Sequence, residues 1–212
     1  MAHIQQFAAP RLPAAPTEYE RQYADQLTNT LRLYFNQLDG VMQALTTNQG
    51  GSNLGFPYAE FQSEISQSTT ANTATAITVS IQNHGSGIAL LPASSSKVLV
   101  NVSGVYNLQY SVQMQNLDTA AQDASIWVRK NGVDETWSNS VFGLQARKSA
   151  GVASRLIASI NYMITMLKGD YVELFWSPSI DTVTMPMYPA TVGPDIPNTP
   201  SVILTLTFVS EA

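Results

Sequence analysis

The spacing of apolar residues changes once along this chain, and that change restricts what it can fold into. From Ala24 onward the apolar positions step alternately by three and four: Ala24, Leu27, Leu31, Tyr34, Leu38, Val41 and Leu45. This is the a/d seam of a heptad repeat, held for about three heptads. A stripe so narrow suits a helical partner better than a broad core. Thr17 with Glu20 three residues on, just after Pro16, is a capping-box pattern and predicts a helix start there. Gly40 falls inside the repeat and weakens its second half by about 1 kcal/mol relative to Ala. Leu33, Phe35 and Met42 lie off the seam and widen the apolar surface. Two readings stay open: an amphipathic helix packed on its own domain, and a short self-associating stalk. The flanking segments favour the stalk.

Before the helix, MAHIQQFAAPRLPAAP holds three prolines and no continuous apolar run. Such chain forms neither helix nor central strand and is expected to be extended. It reads either as a free tail or as an arm that orders on a partner, with Ile4, Phe7 and Leu12 as anchors and Tyr19, Tyr23 and Phe35 continuing the contact along the helix. After the helix, TTNQGGSNLGFP marks a linker. The expected divisions are an arm over 1–16, a helical stalk over 17–47, a linker over 48–57 and a β head over 58–212.

In the head the apolar period is two. Tyr106, Leu108, Tyr110, Val112 and Met114 alternate with Asn107, Gln109, Ser111 and Gln113, the pattern of a strand with one polar face. Strands are expected over Ala76–Gln82, Lys97–Val102, Tyr106–Gln115, Ala124–Arg129, Leu156–Met166, Tyr171–Ser177 and Val202–Val209. Lys130-Asn131-Gly132 and Lys168-Gly169-Asp170 read as turns, with Gly supplying a positive φ. Strands with no helical pattern between them predict a mainly β fold, a sandwich or jelly roll. Ser177 to Pro200 carries six of the eleven prolines and reads as a long stiffened loop. Its Met185, Met187 and Tyr188, with Trp137 elsewhere, are the candidate ligand or contact residues.

Charged residues make up 12% of the chain, about half the usual share, which suits sheet faces and large covered interfaces. The net charge is −5 and the basic residues are scattered, which argues against nucleic acid. No run is long enough to span a membrane. There is no cysteine, hence no disulfide and no thiolate metal site, as fits assembly in a reducing cytoplasm. His3 and His84 are isolated, and His84 reads as a turn residue in Asn83-His84-Gly85-Ser86-Gly87. Asp118 and Asp123, and Asp181 and Asp195, match no calcium-loop spacing. No catalytic residue, metal ligand or cofactor is assigned, and the chain reads as a non-enzyme.

Three short motifs recur in a known order. They are Gly104-Val105-Tyr106, then Trp127-Val128-Arg129-Lys130-Asn131-Gly132, then Leu167-Lys168-Gly169-Asp170-Tyr171-Val172-Glu173-Leu174. Together they resemble the C1q/tumour-necrosis-factor family, which implies a jelly-roll head that assembles as a homotrimer. The block RLPAAPTEYERQYADQLTNTLRLYFNQLDG resembles a segment that precedes β-rich heads on structural proteins of tailed bacteriophages. The pairing implies a virion protein assembled in the host cytoplasm: a surface appendage, either capsid decoration or head fibre, bound to a phage capsid or tail protein through its arm. The alternative is a tail-fibre or receptor-binding protein that recognises host surface glycan.

Overall fold

The computed structural model describes residues 10–14, 16–46 and 55–211. The anchors Ile4 and Phe7, and His3, lie outside them. The chain divides into two compact units, Met1–Gly55 and Phe56–Ala212.

Among its described residues the first unit contains one helix, α1 (Arg21–Thr46). It begins four residues after Thr17, so the capping box does not form. Thr17 and Glu18 lie in a bend, and the carbonyl of Glu20 accepts the first helical hydrogen bond, from the Ala24 N–H at 3.2 Å. The helix therefore starts close to the first seam residue. A turn placed earlier would carry no seam side chain to stabilise its nucleation. All seven seam residues are half-buried, whereas Leu33, Phe35 and Met42 are exposed. Gly40 does not interrupt the helix, and a Cβ there would touch nothing within 4 Å.

The second unit is a two-sheet sandwich. Its strands are β1 (Tyr58–Ser63), β2 (Thr75–Ala76), β3 (Ile81–Ser86), β4 (Ile88–Leu90), β5 (Val98–Val100), β6 (Gly104–Asn116), β7 (Gln122–Lys130), β8 (Val133–Asp134), β9 (Ser140–Leu144), β10 (Ser154–Met166), β11 (Tyr171–Pro178), β12 (Val183–Thr184) and β13 (Val202–Ser210). Sheet 1 runs β10-β6-β13-β1-β3, with β12 also on β6. Sheet 2 runs β4-β5-β11-β7-β8, with β2 on β11 and β9 on β7. A mainly β sandwich with one N-terminal helix, as the sequence predicts, is the observed architecture.

Alternation decides which face is core. On β6 the residues from Gly104 to Asn116 at even positions are all buried. Of these, Tyr106, Leu108, Tyr110, Val112 and Met114 share one buried cluster with Ile126 and Val128 of β7 and Leu174 and Trp176 of β11. Filling that core with Trp176 is worth about 3–5 kcal/mol against alanine.

Two predicted features are corrected. Ala76–Gln82 is not one strand: β2 pairs with sheet 2 and β3 with sheet 1. Between them Ile77 and Val79 stay buried while the chain crosses from one sheet to the other. His84 is not in a turn but in β3, exposed and opposite Glu60. Strands β1, β4, β8 and β9 were not anticipated, because each is short and shows few alternating apolar residues.

The motif residues have local reasons. Asn131 and Gly132 close the β7–β8 hairpin with φ of 51° and 82°, the two left-handed residues a two-residue turn of this hand requires. The Asn131 Nδ2 donates to Asp170 Oδ1 at 2.8 Å, and Asn131 Oδ1 accepts from the Tyr171 N–H at 2.9 Å. Asp170 Oδ2 accepts from the Leu167 N–H at 2.8 Å. The Lys-Asn-Gly turn and the Gly-Asp turn are thus tied to each other.

Candidate functional site

The feature of the head with the clearest functional content is the outer face of sheet 1. Register places its side chains in rows. Asn161, Gln109, Thr205 and Glu60 form one row across β10, β6, β13 and β1, and Ser159, Ser111, Ile203 and Gln62 form the next. Across β10, β6 and β13 the outward side chains include one charge, Arg155. Ile157 and Met163 stand out of this face, 59% and 54% exposed. A shallow concavity of about 380 Å³ is lined here by Gln109, Ser111, Ser159, Asn161, Ile203 and Thr205. Beneath it, burial pushes the Tyr110 phenol up to about 12, and Ser140 only partly opposes this. The Tyr110 hydroxyl has no hydrogen-bond partner of acceptable geometry.

β10 is the edge of this sheet. It pairs with β6 alone, in unbroken register from Ser154 opposite Asn116 to Met166 opposite Gly104. Proline, bulges and clustered lysines are the usual devices that keep such an edge from pairing with another chain. The 13 residues of β10 carry none of them.

A second structure rises from the same face. The segment expected as an irregular proline-stiffened loop contains β12 and then a narrow hairpin. Tyr188 and Thr199 exchange both backbone hydrogen bonds, at 3.0 and 2.8 Å, and Thr191 and Ile196 do the same at 2.9 and 3.2 Å. The root is fixed on both sides. The Arg155 guanidinium of β10 lies 4.5 Å from the Tyr188 ring centroid, and the Met187 N–H donates to Ser66 Oγ at 3.0 Å. Met187, Asn198, Thr199 and Pro200 also line a small notch with Gln62 and Glu64.

The candidate loop residues are not brought together. Met185 is fully buried, a core residue opposite Gln67 and not an exposed contact, because β12 draws it against β6. Met187 and Tyr188 are half-buried at the hairpin root. Trp137 belongs to the β8–β9 loop of sheet 2 and is 99% exposed, with φ at 64°. Its neighbour Ser138 is buried and pins the loop: Ser138 Oγ donates to the Glu135 carbonyl at 2.8 Å and accepts from the Val128 N–H at 3.0 Å.

A cluster on sheet 2 was not singled out from the sequence. The Trp127 Nε1 and Arg129 Nε both donate to Asp134 Oδ1 at 2.7 Å. The Arg129 guanidinium stacks 3.7 Å from the Phe175 ring centroid. The hydrogen bonds from Arg129 and then Trp127 hold Asp134 below the usual carboxylate value. No periodic pattern in the sequence marks this cluster, since it depends on which residues of β7 and β8 face each other.

On the first unit, the described anchors are open to solvent except Tyr23, which is half-buried. Leu12 is 52% exposed, Tyr19 86% and Phe35 55%, with the Phe35 ring edge-on to Tyr34. Asp25, Arg32 and Asp39 all fall on one heptad position away from the seam. Among the described residues no group of three or more His, Cys, Asp or Glu could hold a metal ion. No described helix is long and apolar enough to cross a membrane.

No protein-family model and no curated protein matches the chain. Among solved structures, the chain is similar to the globular domain of the zebrafish complement 1qA protein. The TM-score is 0.42 and the identity 11%, over 74% of this chain and 99% of that one.

Proposed function

We propose that this chain is a non-enzymatic structural subunit, a homotrimeric appendage on the surface of a phage particle that serves as capsid decoration or head fibre and is held by its N-terminal arm. The observation that carries the trimer is sheet 1, with its long unprotected edge at β10 beside a broad face nearly free of charge. An edge of one copy set against a face of the next is a heterologous contact, and such contacts form a ring where the rotation between copies closes, here after three. The seam of α1 supports the same reading. It has Leu at three of its a positions and uncharged side chains at most flanking positions, unlike the charged flanks that pair two strands. Exposed Tyr19, Phe35 and Leu12 support attachment through the first unit. The virion location rests on the resemblance of the N-terminal block.

Sedimentation of the purified full chain tests the assembly. A mass about three times that of one chain is expected from closed symmetry, and a clean monomer at micromolar concentration overturns the reading. Labelling the protein on intact particles then tests the location, with hundreds of copies per particle expected for decoration.

A second reading is a tail-fibre protein that binds host surface glycan. Trp137 favours it: a bulky side chain held at positive φ and left in solvent is the kind of strain that persists at binding sites. A few copies to a few tens per particle, with glycan binding lost in Trp137→Ala, would establish that reading instead.

A further inference from the structure

We infer that the hairpin between Tyr188 and Thr199 is a clasp between subunits, packing Val192 and Ile196 at its tip onto a second copy of this chain. The inference rests on the trimeric reading and names a contact that reading does not require. Its first support is position. The root bridges Arg155 of β10 and the notch lined by Gln62 of β1 and by Glu64, so the hairpin starts from one end of the outer face of sheet 1. A copy seated on that face meets it.

The second support is that, beyond its root, the hairpin is not packed into its own head. Residues 189–198 are all exposed, yet both pairs of backbone hydrogen bonds are intact. An isolated two-stranded hairpin is marginal in water. Here Pro189, Pro194, Pro197 and Pro200 limit the freedom of the chain. A stiffened element loses less conformational entropy when it docks.

The third support is the tip itself. Val192 is 94% exposed and Ile196 51%, on opposite sides of a turn whose other members are Gly193, Pro194 and Asp195. Two exposed apolar side chains at the end of a stiff projection are the composition of an interface anchor. They are unsuited to a free loop tip.

The chain has no cysteine, so Val192→Cys carries a unique thiol. The full-length variant would be labelled with benzophenone maleimide and irradiated at a concentration where the wild type sediments as a trimer. Val133→Cys, on sheet 2 and 69% exposed, serves as the comparison. Covalent dimers and trimers from position 192, mapped to head peptides of another copy and absent from position 133, are expected. In parallel, Val192→Asp with Ile196→Asp should raise the concentration at which the trimer dissociates at least tenfold. A trimer with no cross-link from position 192 and unchanged dissociation overturns the clasp and leaves the trimer standing. A wild type that is monomeric overturns the clasp together with the reading beneath it.

Discussion

Asp170 shows how a single side chain joins two parts of the head. Its partial burial opposes ionisation, but hydrogen bonds from the Leu167 N–H and the Asn131 amide, with the charge of Lys130, together outweigh this and hold it below the usual carboxylate value. A carboxylate whose folded value is depressed stabilises the fold at pH above its unfolded value. That contribution is lost as pH falls through the folded value. The wild type should therefore melt higher than Asp170→Ala at neutral pH, and the gap should shrink progressively below about pH 4. Melting curves of both proteins from pH 7 to pH 2 check this, and a gap that stays constant to pH 2 would show that the ionised form is not what matters. The same residues explain why the motifs were legible. Asn131, Gly132, Gly169 and Asp170 are fixed by backbone needs that few other side chains meet. Gly104 is another case, since a Cβ there would collide with the Phe208 ring that packs edge-on against Tyr106. Trp127 and Asp134 were not legible as a pair, because their meeting depends on the register of β7 against β8.

At the scale of elements, strong periodicity was readable and weak periodicity was not. β6, β10, β11 and β13 have long alternating runs, and each lies within a few residues of its expected place. The hairpin at 188–199 is stabilised by backbone bonds between its two arms that leave no apolar period, so its prolines suggested only a loop. The helix has its own test. Leu31 and Leu38 sit at equivalent seam positions, one heptad apart. If three helices meet along that seam, Leu31→Asp and Leu38→Asp each bring charges together at a buried axis, at a cost of several kcal/mol per ion. Circular dichroism should show loss of helix, while the β signal of the head persists. Full helicity in both variants would mean that the seam faces something that tolerates charge.

For the whole molecule, the division at Gly55 and Phe56 separates the helical unit from the β sandwich. Phe56 stacks on Phe208 with ring centroids 5.9 Å apart, and the Phe208 N–H donates to the Pro57 carbonyl at 2.8 Å. A chain beginning at Phe56 therefore keeps every contact of the sandwich and should fold. It should fail to bind particles assembled without the native protein, whereas the full chain added to the same particles should bind. Equal binding by the two would move attachment to the head, with the hairpin as the first surface to examine. If the arm is the tether, the placement of β1 governs how the head bears a pull. A pull on Tyr58 directed along β1 meets a strand that lies between β13 and β3 and is paired with both. Its ladders are then loaded in shear, all rungs at once, and do not peel one by one, so the head resists being torn from a moving particle at the strand where the load enters.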